Sequence, residues 1–265
     1  MRTETKVLSD LNHEVRGTGV PILFIAGAGG DAGHFTRLAE ELAGEYTTIS
    51  YDRRGCSRSA ALAEGEAMSI AAQADDATAL IEELGLAPAI VFGSSAGGNI
   101  ALEMIARRPA AVRGAIVHEP ALIAVAPDPE AEANELAPIV ELAARDPRQA
   151  MEAFWRSVSS DETFESLDPE LRERMLGNGA HFFARELAAI ATYVPDTERL
   201  RDAGVPVRPL ASRNGIMEFG VRWVRDALAV AVGLVSGHHA PYLQDPERLA
   251  EELRPILRTL DSSSL

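Results

Sequence analysis

Residues 91–100 read VFGSSAGGNI: an apolar run closes on Gly93, two serines follow, and small residues lead into NIALEMIARR (99–108), which has helical spacing. The stretch is a strand-to-helix turn. Ser95 stands in it with a glycine two residues away on each side, giving Gly-x-Ser-x-Gly, GSSAG. A nucleophile on so sharp a bend takes a strained backbone conformation. Glycines at the flanking positions remove the side chains that would collide where the backbones meet. The same turn puts the hydroxyl at a helix N-terminus, where unpaired N–H groups favour negative charge. Ser94 has Phe92 and Ala96 at the corresponding positions, so Ser95 is the candidate nucleophile and Ser94 a spacer.

Around this turn, short runs rich in Val, Ile and Phe alternate with longer amphipathic stretches. PILFIAG (21–27), YTTISYD (46–52), PAIVFG (88–93) and VRGAIVHEP (112–120) read as strands, and MSIAAQADDATALIEELG (68–85) as a helix closing on Gly85. This alternation predicts an α/β fold with a mostly parallel, doubly wound sheet. From Ala121 to Gly204 only helical patterns appear, and the strand rhythm then returns with VPVRPLA (205–211) and VAVGLV (230–235). The expected organisation is a core formed by 1–120 and 205–265, with 121–204 inserted as a helical cap over the carboxyl edge of the sheet, where open α/β folds bind ligands.

The chain has 265 residues, is 46% hydrophobic and carries a formal net charge of −15. That balance speaks against a nucleic-acid partner or an anionic membrane surface, and favours a small neutral substrate. No apolar run reaches membrane-spanning length, and MRTETKVLSD at the N-terminus does not read as a signal peptide. One cysteine, Cys56, excludes an internal disulfide, and the expected location is cytoplasmic. A homodimer is compatible with the sequence. No metal or organic cofactor is implied, because histidines and acids show no ligand spacing.

A serine nucleophile needs a general base, an orienting acid and oxyanion donors. LVSGHHAPYLQDP follows the last strand and supplies two histidines; His238, directly after Gly237, is the expected base. The oxyanion donors are expected from the N–H of Ala96 and from the loop AGAGGD, with Ala28 as the donor and Gly27 and Gly29 letting backbone approach the substrate. That loop lacks the third glycine of a dinucleotide fingerprint and the Lys-Ser/Thr of a phosphate loop.

With GSSAG, YDRRGCSRS after the second strand and GHHAPYLQDPERLAEEL near the C-terminus, the chain resembles the α/β-hydrolase family over nearly its full length. The resemblance implies a serine hydrolase. The family usually carries its acid after the penultimate strand, where this chain has PLASRNGIMEF, with Asn214 close by and Glu218 only later. A minority carries it one strand after the nucleophile helix, where this chain has AIVHEPAL and Glu119. That placement is similar to the zearalenone-type lactonases, and NGAHFFAREL resembles the part of their cap that lays an aromatic residue over the substrate, which maps onto Phe183. Trp155 is a second expected pocket wall. The resemblance thus implies Ser95, His238 and Glu119 as a triad, with Glu218 as the alternative acid, acting on a neutral ester or lactone. Carbon–carbon bond hydrolysis, cofactor-free oxygen chemistry and a ligand receptor without turnover remain alternatives on such a scaffold.

Overall fold

The computed structural model describes residues 11–62 and 68–262. The charged N-terminal stretch and the end of DSSSL lie outside the described residues. Seven strands form one sheet: β1 (His13–Arg16), β2 (Val20–Ile25), β3 (Tyr46–Tyr51), β4 (Ala89–Ser94), β5 (Val112–His118), β6 (Val207–Ser212) and β7 (Gly233–Val235). Their spatial order is β1-β3-β2-β4-β5-β6-β7, with β1 antiparallel to β3 and all other pairs parallel. β1 is an addition to the strands expected from sequence. Its four residues are too few to show an alternation, and pairing with β3 decides their conformation.

The central strands are apolar on both faces because helices cover both. Every residue of β4, AIVFGS, is buried. Helix α1 (Thr36–Leu42) follows β2, α2 (Ile70–Glu83) precedes β4, and α3 (Ala96–Arg107) follows it. In α2 the buried set Ile70, Gln73, Ala74, Ala77, Leu80 and Ile81 keeps helical periodicity. Its start is fixed by Ser69, whose Oγ accepts the Ala72 N–H at 3.0 Å. The chain leaves β2 for β3 on one side, then returns across the sheet to β4 on the other. The carboxyl ends of β2 and β4 therefore flank a topological switch point, where open sheets bind ligands.

Between β5 and β6 all described regular elements are helical, among them α4 (Pro129–Ala143), α5 (Pro147–Val158) and the helix Pro169–Gly177. A single π-turn spans Phe182–Glu186 and runs into the helix Leu187–Ala191. No helix among the described residues is long and apolar enough to cross a membrane.

Candidate active site

Ser95 sits between β4 and α3 at φ 55°, ψ −125°. A non-glycine residue held there carries about 1–3 kcal/mol of strain, which the surrounding contacts must sustain. Its N–H donates to the His118 carbonyl at 3.0 Å, and its own carbonyl accepts the N–H groups of Gly98 at 2.8 Å and Ala121 at 3.2 Å. The flanking glycines act by close approach. A Cβ on Gly93 would overlap the Gly97 carbonyl, and one on Gly97 would overlap the Ile25 carbonyl at the end of β2. Ser94, by contrast, is fully buried, and its Oγ is hydrogen-bonded to His118 Nδ1 at 2.8 Å. Adjacent residues at a strand end face opposite sides, so one serine opens to the ligand side while the other is tied into the core.

Glu119 follows β5 with φ 41°, a second strained position on the same sheet edge. It is 1% exposed, and its Oε1 accepts the Ser212 N–H at 2.9 Å. Its Oε2 accepts a hydrogen bond from Nδ1–H of His239 at 2.6 Å. Burial pushes the Glu119 carboxyl up, but the hydrogen bond from His239, the nearby His118 and the Ser212 amide outweigh it and hold the group below its ordinary value. Glu218, the alternative acid, opens the helix Glu218–Leu228 in an exposed position and pairs with Arg222 at 2.6 Å.

The histidine brought to Glu119 is thus His239, and the expectation for His238 is corrected. The chain passes Gly237 in a left-handed turn (φ 95°), and the His238 N–H is spent on Gln244 Oε1 at 2.9 Å. His238 is left half-buried, and the next residue is the one that turns inward, buried to 4% exposure. Beneath the pair, His118 bridges Ser94 and Ser212, with Nε2 2.9 Å from Ser212 Oγ. Burial, opposed by Glu119 and helped by His239, lowers its pKa to about 4, so it is neutral at pH 7. Neither His118 nor Ser212 stood out in the sequence.

Above Ser95 lies a cavity of about 160 Å³ lined by Ala28, Ser95, Ala96, Phe154, Phe182 and Met217, and by side chains from α4 and the helix Leu187–Ala191. The two expected aromatic walls are each displaced by one residue. Phe182 lines the cavity, and Phe183 stands edge-on behind it at 5.0 Å between ring centroids. Phe154 lines it too, while Trp155 turns toward the loop at Gly29 and packs edge-on against His34 at 5.1 Å. Neighbours on a helix point about 100° apart, so only one of each pair can face the ligand, and the sequence pattern did not say which. Ala28 and Ala96 both border the cavity. Gly27 lies against the Ser95 side chain, where a Cβ would come 2.8 Å from Ser95 Cβ, and Gly29 turns the loop with φ 79°.

Residues 20–183 match the alpha/beta hydrolase fold family. The uncharacterized hydrolase YraK of Bacillus subtilis is 35% identical over 193 residues, which is 73% of this chain and 69% of that protein. Among solved structures, a thermophilic esterase from Thermogutta terrifontis superimposes with a TM-score of 0.75 at 24% identity, covering 94% of this chain and 93% of the other. Est816, described as an N-acyl homoserine lactone degrading enzyme, superimposes with a TM-score of 0.72 at 21% identity, covering 92% and 96%. With its serine elbow at the end of β4 and this match over more than half its length, the chain belongs to the alpha/beta hydrolase fold family.

Proposed function

We propose that the protein is a serine hydrolase that cleaves a neutral carboxylic ester through an acyl-enzyme, with Ser95 as nucleophile, His239 as general base and Glu119 as its orienting acid. The observation that carries this reading is the buried 2.6 Å contact between Glu119 Oε2 and His239 Nδ1 on the sheet edge that also bears Ser95. Holding the proton on Nδ1 leaves Nε2 as the acceptor, the tautomer a base needs. Ser95 Oγ attacks the acyl carbon and passes its proton to Nε2; the carbonyl oxygen becomes the oxyanion. His239 returns the proton to the departing alkoxide, and water repeats the sequence to free the acid.

The Ala96 N–H, at the first turn of α3, has no partner within the helix. Together with the Ala28 N–H it would bind the oxyanion. The cavity's side chains are uncharged, which suits an apolar group and not a carboxylate-bearing one. An engineered cavity of about 150 Å³ takes up benzene, so the 160 Å³ here favours a group of roughly six carbons. The segment 121–204 acts as the cap that supplies the aromatic walls. A lactone is the second reading, supported by the acid after β5, as in the lactonases that the sequence resembles.

The test is reaction with an aryl organophosphonate, followed by turnover of aryl esters of increasing acyl length and of lactones of increasing ring size. The label is expected on Ser95, with neutral mid-length substrates preferred. Label on Ser94, or a folded protein that neither labels nor turns over any of them, overturns the reading.

A further inference from the structure

Arg53 is 2% exposed and spends its guanidinium on two targets. One is the loop beside the nucleophile: Nε donates to the Ala26 carbonyl at 3.1 Å, and one terminal nitrogen donates to the Gly27 carbonyl at 2.7 Å. The other is Glu186, 1% exposed, which takes two charge-assisted hydrogen bonds at 2.6 and 2.9 Å. Burial alone would push the Glu186 carboxyl up; Arg53 and His181 overcome this and bring it down to about 2. Cys56 and His181 also lie near this carboxylate, but both of its oxygens are taken by the guanidinium.

The Gly27 carbonyl and the Ala28 N–H belong to one planar trans peptide, so they point in opposite directions. Whatever holds the carbonyl on one side aims the N–H on the other. Here the carbonyl is held from behind by Arg53, with the Gly30 N–H as a second donor at 3.1 Å. Two residues on, the Gly29 carbonyl is held by Asn178 Nδ2 at 2.6 Å. Asn178 and Glu186 both come from the helical segment between β5 and β6, and Glu186 belongs to its π-turn. A π-turn adds one residue to a helical turn, and such turns recur at functional sites.

We infer that Arg53 is a positioning residue that fixes the Gly27–Ala28 peptide with its N–H aimed at the oxyanion, and that Glu186 makes this alignment depend on the docked helical segment. The inference rests on the proposed role of Ala28 as an oxyanion donor. The segment then contributes to transition-state binding without touching the substrate through this pair. A guanidinium suits the task because its rigid planar fork makes four hydrogen bonds here, to two carbonyls and both carboxylate oxygens, one more than the three donors of an ammonium can make.

The experiment uses the full chain with Arg53→Met/Glu186→Leu. Removing both charges leaves no unpaired ion, and such replacements of buried pairs commonly keep the fold. Arg53→Lys is measured in parallel and carries the test if the double variant does not fold. The readouts are kcat and KM on an aryl ester, and the affinities of an aryl trifluoromethyl ketone and of the product alcohol. The ketone adds to the nucleophile and places an oxyanion in the hole, whereas the alcohol does not. Loss of a whole oxyanion donor costs roughly 100- to 1000-fold in kcat. A misaimed one is therefore expected to cost about ten- to a hundred-fold, with KM within about three-fold, ketone affinity falling with kcat and alcohol affinity unchanged. Parental kcat, or a loss confined to KM or to thermal stability, overturns the inference. A parent protein that neither turns over the ester nor binds the ketone instead overturns the proposed function on which it rests.

Discussion

A Cβ on Gly215 would overlap Oε1 of Glu119. The loop after β6, where the family usually carries its acid, here serves as the socket for an acid that arrives from β5. Ser212 supplies the N–H to that carboxylate, and Gly215 supplies the space. The missing carboxylate at SRNG and the carboxylate present at HEP are therefore two halves of one arrangement.

Gly215→Ala is expected to push the Glu119 carboxylate off the Ser212 amide and away from His239. Turnover should fall at least a hundred-fold, by the size of base-orienting effects. Circular dichroism and thermal melting should stay near the parent, because Gly215 is only half-buried and its φ is not in the left-handed region. Parental turnover in Gly215→Ala would show that the carboxylate can move without consequence, and hence that it does not orient the base.

Two pairs of substitutions separate the groups that the sequence left open. His239→Ala should remove turnover to the level left by binding and the oxyanion hole, while His238→Ala should stay within a few-fold. Glu119→Gln keeps the shape and loses the charge, which in a well-characterised triad costs about ten-thousand-fold; a loss of at least a hundred-fold is expected here, against a few-fold for the exposed Glu218→Gln. Single-turnover kinetics on an aryl ester give the ranking. Reversal within either pair moves the base or the acid to the other residue.

Much of this architecture was legible in the sequence, and the reasons for the exceptions are physical. The elbow announced itself because Gly93 and Gly97 are demanded by backbone contacts that no other residue tolerates. Glu119 stood out as a candidate because a strand end and a motif mark it. The histidine buried against Glu119 lies one residue beyond the expected one because two adjacent histidines follow a glycine, and the His238 amide is held by Gln244, six residues on, while His239 turns inward. Phe182 and Phe183 differ only in their phase around a helix, and that phase is altered locally by a π-turn with no sequence signature of its own. The Arg53–Glu186 pair joins residues 133 positions apart, and nothing local to either residue marks it.

The cavity predicts its own selectivity. Ala191, on the helix Leu187–Ala191, lines it and is half-buried, so a larger side chain there enters the cavity instead of the core. Ala191→Phe should lower kcat/KM for hexanoyl esters by ten-fold or more relative to acetyl esters, since one methylene in an apolar pocket is worth about 10- to 200-fold. The acetyl ester itself should be hydrolysed at near-parental rate. Equal losses across acyl lengths would place the acyl group elsewhere.

Two histidines are folded away neutral, and they make stability depend on pH. His34 is 1% exposed, and burial lowers its pKa from 6.5 to about 4, against the opposing pull of Asp31. His118 is lowered to about 4 by burial as well. Between pH 6.5 and 4 the unfolded chain therefore binds protons that the folded one refuses. Stability from these groups is fully present above pH 6.5 and is lost as pH falls through 4, by up to about 3 kcal/mol for each histidine. The Glu186 carboxyl, at about 2 when folded against 4.5 as its ordinary value, continues the loss below that window. His34→Phe keeps the ring contacts with Trp155 and Tyr242 while removing one titration. Urea unfolding at pH 7 and at pH 4.5 should show the parent losing several kcal/mol and His34→Phe losing about half as much. The same pH dependence in His34→Phe and in the parent would mean that His34 accepts its proton in the folded state, and that other groups set the acid limit.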